Sequence, residues 1–260
     1  MCKIMAIASQ KGGVSKTTTV LNLATALALM GEKVLAVDLD PQGSLTICAG
    51  VKNPDELTQT TYSLLSAALN EDKLPEPNDY IISCGNIDVI PCNITLSGYE
   101  VNRSHEIGSE KALQTVLEPL REMYSVILLD TGPSLGILTV NAITASDSVL
   151  IAVTPQLLSA VGLKLLIKTI NKVQKHINPA VTIEGVIMTM CDTRTNLYKD
   201  VSEIMAKTYG ESIRIFDTII PHSTKVGEAN LHRQSVLMYD ENSKPSKAYK
   251  DFVKELIEIA

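Results

Sequence analysis

The sequence predicts an α/β fold in which a doubly wound, mostly parallel sheet carries helices on both of its faces. Two observations support this prediction. Short apolar runs of strand length recur along the chain, and segments with apolar residues at helical spacing lie between them. Because a parallel strand is buried on both faces, it is typically apolar along its whole length. The predicted strands are residues 4–8, 33–39, 87–91, 126–130, 149–153, 183–190 and 218–220.

The first strand, a glycine-rich loop, a helix and the second strand form the first predicted unit. Apolar residues at helical spacing within residues 20–28 mark the buried side of this helix, and Gly31 stands where a left-handed C-terminal cap is expected. Residues 51–80 are the least regular part and contain a short predicted helix at residues 62–69. A last helix follows Pro245 and is expected to dock on the core. Its apolar face comprises Tyr249, Phe252, Val253, Leu256 and Ile257.

Length and composition predict one globular domain that spans residues 1–260, since the chain is 45% hydrophobic and 20% charged. It contains no run of about eighteen apolar residues, and the N-terminal apolar stretch leads into the loop without a cleavage site. We therefore expect a soluble cytoplasmic protein that does not bind membranes. The five cysteines include no C-x-x-C pair and the four histidines lack ligand spacing, so neither a disulfide framework nor a zinc site is expected.

The net charge of −6 argues against a constitutive nucleic-acid binder of the strongly basic kind. The charge is nevertheless uneven, because residues 161–233 contain ten Lys and Arg against seven Asp and Glu. This distribution is compatible with a basic surface that acts in one state of the protein.

A phosphate-binding loop is predicted at residues 9–19, which read S-Q-K-G-G-V-S-K-T-T-T between the first strand and the first helix. Backbone N–H groups and the positive end of the helix favour a bound phosphate at such a junction. The ordinary pattern G-x-x-x-x-G-K-[ST] fails, because Gln10 and Ser15 occupy its glycine positions. The variant K-G-G-x-x-K-[ST] fits instead, with Lys11 as an extra lysine. Together with the predicted sheet, it indicates a P-loop NTPase fold.

The position of each loop residue indicates a role toward ATP and Mg²⁺. Gly12 and Gly13 let the backbone approach the phosphates, and Lys16 brings its charge to the β- and γ-oxygens. Thr17 offers its hydroxyl to Mg²⁺, and the next threonine is placed to touch the α-phosphate. Lys11 cannot easily duplicate the second lysine, so we expect it to act on the partner's nucleotide across a dimer interface, like an arginine finger. The predicted nucleotide contacts here are Lys11, Gly12, Gly13, Val14, Ser15, Lys16, Thr17 and Thr18.

Three aspartates complete the predicted site. Asp38 and Asp40 lie at the end of the second predicted strand, and Asp130 ends the fourth. Both ends lie at the carboxyl edge of the sheet, where doubly wound folds bind their ligands. Asp130 is expected to hold Mg²⁺ through water, and Asp38 to support the metal shell or a lysine of the loop. Asp40 is the candidate to orient or deprotonate the attacking water, which gives Lys11, Lys16 and Asp40 as the predicted catalytic residues.

These segments together resemble the short ParA-type, Soj-like partition ATPases that lack an N-terminal helix-turn-helix, and the resemblance covers essentially the whole chain. Residues 11–17 match the deviant Walker A motif, residues 37–43 the Walker A′ segment and residues 126–136 the Walker B region. Residues 188–196 and 218–229 resemble later blocks of the same family.

The resemblance implies that the adenine lies against Met190, Asp192 and Pro221 and that ATP sandwiches two subunits into a homodimer. It also implies non-specific DNA binding in the ATP state, association with the nucleoid, and a ParB-like centromere-binding partner. The expected role is plasmid or chromosome partition. Because phosphoryl transfer depends mostly on positioning and charge stabilisation, hydrolysis is expected to be slow until the partner improves the geometry.

Two positions depart from the family pattern. Ser15 stands where the family usually has glycine, and if this position needs a positive φ the serine costs about 1 kcal/mol or more and slows turnover. His222 follows Pro221 where members of this group often carry an arginine for DNA, so other cations are expected to carry the DNA contacts. The candidates are Arg194, Lys199, Lys225 and Arg233, together with a helix stripe of Lys164, Lys168 and Lys172 whose simpler interpretation is a solvated face.

Three alternative functions remain open. A MinD-like positioning ATPase shares the loop but binds membranes through a basic amphipathic helix, and residues 249–260 are too acidic for an anionic bilayer. A nitrogenase-iron-protein-like reductase needs cysteines that face each other across a dimer, a context that Cys92 and Cys191 lack. A scaffold with impaired turnover would use ATP to set its oligomeric state, and the intact catalytic residues argue against it.

Overall fold

The computed structural model describes residues 2–257, apart from the side chains of residues 157–161. Eight strands of this described part form one sheet. They are β1 (Lys3–Ala8), β2 (Val34–Leu39), β3 (Ile82–Cys84), β4 (Ile87–Ile90), β5 (Val126–Thr131), β6 (Ser148–Val153), β7 (Thr182–Cys191) and β8 (Ile215–Pro221). Their order across the sheet is β3-β4-β2-β5-β1-β6-β7-β8.

Twelve α-helices are assigned within the same described residues. They are α1 (Lys16–Leu29), α2 (Ser44–Cys48), α3 (Thr61–Leu69), α4 (Pro77–Tyr80), α5 (Ser97–Asn102), α6 (Ala112–Leu117), α7 (Ile137–Ala145), α8 (Leu157–His176), α9 (Asn196–Tyr209), α10 (Thr224–Leu231), α11 (Val236–Tyr239) and α12 (Lys244–Ile257). Among residues 2–257, no helix has both the length and the apolar character needed to cross a membrane.

The strand order is that of a doubly wound sheet. β1 lies between β5 and β6, with which it runs parallel, and the chain places β2 beyond β5 and β7 beyond β6. The order therefore reverses at β1, and ligands of such folds bind at the carboxyl edge beside that reversal. The predicted fold class is confirmed, and the seven predicted strands are found with ends shifted by no more than three residues.

The edge strand β3 is the strand that the sequence pattern missed. It has three residues, none of them fully buried, and it pairs antiparallel with β4 across a turn at Gly85, where φ is 69°. A short edge strand has no continuous apolar run, because one of its faces remains accessible. Periodicity in the sequence therefore cannot detect it.

Alternate residues of each strand point to opposite faces of the sheet, which divides the core in two. Ile4 of β1 belongs to the cluster that also contains Tyr99 of α5, whereas Met5 and Ile7 belong to the cluster that contains Phe252 of α12. Both faces are thus covered by helices, as the apolar strands predict.

The predicted docking of the last helix is confirmed. Tyr249, Phe252 and Val253 are fully buried, and the Tyr249 hydroxyl lies 3.3 Å from Thr19 Oγ1 of α1. Ile257 is an exception among the predicted face residues, since it is 41% exposed at the end of α12. The predicted cap of α1 is also confirmed, because Gly31 has φ 96° and donates to the Ala28 carbonyl.

Candidate functional site

The predicted P-loop connects β1 to α1, and its backbone adopts left-handed conformations at two positions. Gly13 has φ 70° and Ser15 has φ 61°. Within the described part of the chain, the Ser15 hydroxyl makes no capping bond to α1, although Ser15 occupies the N-cap position. Ser15 therefore has the positive φ that the usual glycine of the family suggests for this position. This conformation costs an L-residue about 1–2 kcal/mol.

Lys16 is the first residue of α1 and is only 7% exposed. Its Nζ donates to the backbone oxygen of Lys11 at 3.4 Å. Burial lowers the pKa of Lys16, and the charges of Asp130 and Asp40 oppose this shift. The ammonium group is thus held within the loop, with two of the three predicted carboxylates as charged neighbours.

Asp130 and Thr17 form the part of the site that suits a divalent cation. Asp130 is fully buried on β5, and its Oδ2 accepts a hydrogen bond from Thr17 Oγ1 at 2.7 Å. Its Oδ1 has no hydrogen-bond partner among the described residues. Burial, followed by the charge of Asp38, raises the pKa of Asp130 well above its usual value. A buried polar oxygen without a partner is costly, and a cation at this point would satisfy it.

The donor set at this point fits Mg²⁺. Hydroxyl and carboxylate oxygens are ligands that Mg²⁺ accepts, and it usually keeps water molecules and substrate phosphates in its other positions. Residues 2–257, as far as their side chains are described, contain no group of three or more His, Cys, Asp or Glu that could hold a metal ion alone. A metal held by Thr17 and Asp130 would therefore depend on a bound polyphosphate for further ligands.

Asp38 pairs in register with Asp130 on the neighbouring strand but contacts different groups. Its Oδ2 accepts from the backbone N–H and the hydroxyl of Thr46, at 2.9 and 2.7 Å, and its Oδ1 accepts from the N–H of Asp40 at 3.1 Å. Burial raises the pKa of Asp38 to about 6 against the lowering effect of these bonds. Asp38 thus fixes the loop of residues 40–46, and its contact with a metal shell stays a prediction.

Sequence reasoning missed Thr46, which is fully buried in α2. Besides its contacts with Asp38, its Oγ1 accepts a hydrogen bond from the N–H of Cys92 at 2.9 Å. A threonine in a short helix carries no motif of its own, so nothing in the sequence marks this link between two loops.

Asp40 lies just past β2 at the start of the fixed loop. Its Oδ1 accepts a hydrogen bond from the N–H of Gln42 at 3.1 Å, so Asp40 also forms an Asx-turn with the residue two positions on. A Cβ atom on Gly132 would lie 3.6 Å from Asp40 Cγ, so the segment after β5 passes close to the carboxylate. Asp40 is therefore brought to the same edge of the sheet as Lys16 and Asp130.

The first residues of the loop are anchored to the junction between β6 and α8. Lys11 Nζ donates to the side-chain oxygen of Gln156, a residue 145 positions away in the same subunit. A Cβ atom on Gly162 would lie 3.5 Å from the Gln10 side chain. Gln10 Oε1 is buried and has no hydrogen-bond partner in the described part of the chain. Sequence reasoning did not identify Gln156, because the contact depends on tertiary structure.

A cavity of about 310 Å³ opens beside the end of the loop. Ser15 and Thr18 line it together with Met190 and Pro221. Met190 has φ 53° and is 39% exposed. Two of the predicted adenine contacts, Met190 and Pro221, are thus brought together beside the loop, whereas Asp192 lines the neighbouring cleft.

This neighbouring cleft has a volume of about 720 Å³ and shares Pro221 and His222 with the first cavity. Arg194 lines it and forms an ion pair with Asp192, with Nη2 and Oδ2 2.8 Å apart. Hydrogen bonds from Arg194 lower the pKa of Asp192 to about 2. The predicted DNA contact Arg194 is therefore already engaged with an acid.

The remaining predicted DNA contacts lie outside the cleft. Lys225 is paired with Glu228 at 2.8 Å, and Arg233 has φ 54°. The side chains of Lys199 on α9 and of Lys164, Lys168 and Lys172 on α8 are exposed and do not line the cleft. Lys244 and Lys247, from the first turn of α12, do line the cleft. They were missed because the sequence does not show that this helix packs beside β8.

Comparisons with known proteins identify the family of this chain. A family model described as an AAA domain matches residues 2–183. Sporulation initiation inhibitor protein Soj of Bacillus subtilis is 40% identical over 256 residues, which cover 98% of this chain and 98% of that protein. Chromosome partitioning protein ParA of Caulobacter vibrioides is 36% identical over 263 residues, which cover 98% and 94% of the two chains.

The fold is also similar to that of solved structures. A structure described as cobyrinic acid a,c-diamide synthase from Mycobacterium smegmatis, with bound ATP analogue and magnesium, has a TM-score of 0.84 and 32% identity. The match covers 99% of this chain and 95% of that one. The family model includes the P-loop and the three aspartates, and the relatives extend the match over nearly all of the remaining residues. The chain therefore belongs to the ParA-type partition ATPases.

Proposed function

We propose that this protein is a Mg²⁺- and ATP-dependent switch for plasmid or chromosome partition. In the proposed cycle, ATP joins two subunits into a dimer, the dimer binds DNA non-specifically on the nucleoid, and hydrolysis releases it. A ParB-like partner stimulates the hydrolysis. One observation carries this proposal: a buried lysine, a hydroxyl–carboxylate pair with an unpartnered oxygen and a second carboxylate converge on one P-loop.

The loop residues bind and orient the triphosphate of ATP. Lys16 supplies a buried positive charge for the β- and γ-oxygens, and the N-terminus of α1 supplies N–H groups and a positive dipole end. Thr17 and Asp130 are the residues that would hold Mg²⁺. When bound, the metal ion neutralises charge that develops on the phosphates.

Asp40 positions the water that attacks the γ-phosphate. Its Oδ1 is used in the turn with Gln42, and among the described residues its second oxygen has no assigned donor. That oxygen accepts a hydrogen bond from the water and takes up its proton. The three bonds that Asp38 receives hold the Asp40 loop in place for this role.

Slow intrinsic turnover follows from the state of Lys11. Its ammonium group is bound to Gln156 of its own subunit, so it has to leave that contact before it reaches a partner's nucleotide. A group supplied in trans raises the rate of phosphoryl transfer by up to about 10³–10⁵ where its geometry is optimal. A free subunit lacks this contribution.

In this proposal the adenine lies against Met190 and Pro221 in the cavity of about 310 Å³, which we call the nucleotide cavity. DNA binding is supported by the cleft beside it. Lys244 and Lys247 lie in the first turn of α12, where the helix dipole disfavours cations, so their position does not stabilise the helix. Both are exposed and line the cleft with Arg194 and His222. A phosphate backbone is the ligand that would account for this grouping. Since two acids, Asp192 and Asp251, line the cleft as well, a single subunit binds weakly and a dimer is required.

The MinD-like alternative requires a free amphipathic helix for the membrane. In the described part of the C-terminal region, α12 uses its apolar face for the core, with Phe252 and Val253 fully buried. That face is not available to a bilayer. The proposal therefore places the switch on DNA.

The test is DNA binding by the Asp40→Ala protein, measured by fluorescence anisotropy on a random duplex with ATP and Mg²⁺ or with ADP, over a salt series. Binding is expected with ATP alone and should weaken steeply with salt, since phosphate contacts release counterions. The double variant Lys244→Ala and Lys247→Ala on the same background should bind more weakly with a shallower salt slope. Lys52→Ala, which removes an exposed lysine outside the cleft, is the matched control.

Absence of DNA binding in both nucleotide states, with dimers still formed by ATP, would replace the proposal with a relative that positions its cargo on another surface. Equal binding with ATP and ADP would contradict the switch itself. Absence of ATP-driven dimers would leave the scaffold and switch proposals both without support.

A further inference from the structure

The nucleotide cavity of about 310 Å³ has walls that suit a purine ring. Ile220, Pro221 and Val226 provide apolar surface, and Tyr249 of α12 lines the cavity as well. Flat apolar walls with a few polar groups are typical of sites that bind planar ligands. The end of the P-loop, at Thr18, borders the same space, so a base placed here remains connected to phosphates on the loop.

The helix α10 leaves room for such a ring. Gly227 of α10 lines the cavity, and a Cβ atom built on it would meet none of the described residues within 4 Å. Asn230 lies one turn further along the same helix and lines the cavity too. Because residues three apart share a helix face, the open space beside Gly227 and the Asn230 side chain face the same cavity.

Two polar groups of the cavity already have partners within the protein. Ser223 Oγ accepts from the N–H of Lys225 at 3.3 Å, and the Tyr249 hydroxyl lies 3.3 Å from Thr19 Oγ1. The side-chain amide of Asn230 has no hydrogen-bond partner in the described part of the chain. It is also the only side-chain amide among the described residues that line the cavity.

A free amide has the hydrogen-bonding pattern that adenine requires. Its oxygen accepts from the N6 amino group while its NH₂ donates to N7. Guanine presents two acceptors, O6 and N7, at the same edge, so the amide oxygen would oppose O6 without a donor between them. A polar group left unpaired against the wrong base is what makes such a site reject it.

We propose that Asn230 reads the N6 and N7 edge of adenine and sets the preference of this protein for ATP over GTP. The inference rests on the placement of the base beside Met190 and Pro221 in the proposed function. It adds a specificity residue from α10 that lies outside the P-loop and outside the three strand-end aspartates.

The test compares nucleotide affinities of the full chain with Mg²⁺, measured as displacement of N-methylanthraniloyl-ATP by unlabelled ATP, GTP and 7-deaza-ATP. The wild-type protein is expected to prefer ATP over GTP and over 7-deaza-ATP by roughly tenfold or more. Asn230→Ala should lower the ATP affinity by about that factor, leave the GTP affinity nearly unchanged, and bind ATP and 7-deaza-ATP equally. Alanine suits a helix, so this variant should fold.

Two further variants test whether the effect depends on the amide of Asn230. Asn230→Asp keeps the shape but replaces the NH₂ donor with an oxygen that opposes N7, so it should bind ATP no better than the alanine variant. Asn242→Ala, which removes an exposed asparagine outside the cavity, should retain the wild-type ratios.

An unchanged ratio of ATP to GTP affinity in Asn230→Ala would overturn the inference, as would equal wild-type affinity for ATP and 7-deaza-ATP. Either result leaves the proposed function intact as long as the wild-type protein binds ATP. A wild-type protein that binds none of the three nucleotides would instead contradict the proposed function.

Discussion

Thr17 Oγ1 donates to Asp130 Oδ2 at 2.7 Å, and the other oxygen of Asp130 is buried without a partner in the described part of the chain. The pair joins the first turn of α1 to the end of β5. One carboxylate oxygen orients the hydroxyl, and the other is left for a ligand. The pair therefore defines where a metal ion would complete the site.

The Thr17–Asp130 pair predicts how removal of the hydroxyl affects the response to Mg²⁺. Thr17→Val keeps the shape of the side chain and removes the oxygen, so ATP affinity in Mg²⁺ should fall at least about tenfold, while affinity in EDTA should stay the same. Isothermal titration calorimetry in both conditions checks this. Thr17→Ser retains the hydroxyl and should behave like the wild type. A valine variant with a full Mg²⁺ response would exclude Thr17 as a metal ligand.

The two lysines of the loop are expected to fail in different ways. Lys16→Ala removes the buried charge beside the phosphates and should lower ATP affinity by about a hundredfold or more, to the point of abolishing binding. Lys11→Ala should retain binding, because Lys11 is held by Gln156, and should lose the trans contribution to turnover of up to about 10³–10⁵. Filter binding and phosphate release measure the two effects. Unchanged nucleotide affinity in Lys16→Ala would show that the loop is assigned wrongly.

Asp40→Ala should separate ATP binding from hydrolysis. Loss of a positioned general base lowers a rate by about 10²–10⁴, whereas the phosphate contacts of the loop remain. The variant is therefore expected to accumulate as an ATP-bound dimer, which light scattering after gel filtration detects. Asp55→Ala, a change of an exposed aspartate, is the control and should hydrolyse ATP normally. Normal hydrolysis by Asp40→Ala would mean that another carboxylate positions the water.

The sheet and the loop could be predicted because local sequence patterns indicate both. Apolar runs such as residues 126–130 mark strands buried on both faces, and the order of strand, glycine-rich loop and helix marks the P-loop. The meeting of Thr17 with Asp130 was also predictable, since parallel strands in a doubly wound sheet bring their carboxyl ends to one edge.

The remaining parts of the site depend on contacts between distant residues with no motif. Lys11 and Gln156 are 145 positions apart, and the link from Thr46 to Cys92 joins two loops that sequence patterns treat separately. Lys244 reaches the cleft because α12 docks beside β8, and a helical pattern gives the buried face of a helix but not its neighbours. Tertiary packing decides these contacts, so sequence reasoning could not.

The conformation of Ser15 predicts an effect on stability. Ser15→Gly relieves a left-handed strain of about 1–2 kcal/mol, while glycine loses about 0.5–1 kcal/mol more backbone entropy on folding. The free energy of unfolding should therefore rise by up to about 1.5 kcal/mol in urea denaturation, and turnover should increase. Ser15→Ala keeps the strained backbone conformation. Because the Ser15 hydroxyl makes no capping bond in the described part of the chain, its removal costs nothing, and this variant should be as stable as the wild type. Equal stability of the glycine and alanine variants would contradict the strain argument.

The buried carboxyls predict how the stability of the nucleotide-free protein depends on pH. Burial raises the pKa of Asp38 to about 6 from its usual value of 3.8, and it raises the pKa of Asp130 well above that value as well. Between these pH values the folded state binds more protons than the unfolded state, so the free energy of unfolding falls as pH rises. For Asp38 the loss amounts to no more than about 3 kcal/mol, and it is complete above its folded pKa.

Urea denaturation from pH 4 to pH 6.5 in EDTA measures this dependence. Because other carboxyls titrate in the same range, the informative quantity is the difference between variants. Asp130→Asn removes one buried charge and should make the decline with pH shallower. Asp192→Asn is the control. The pKa of Asp192 is about 2, below the measured range, so its ion pair with Arg194 is lost only as pH falls toward that value. An unchanged slope in Asp130→Asn would mean that Asp130 titrates normally and that its burial does not oppose ionisation.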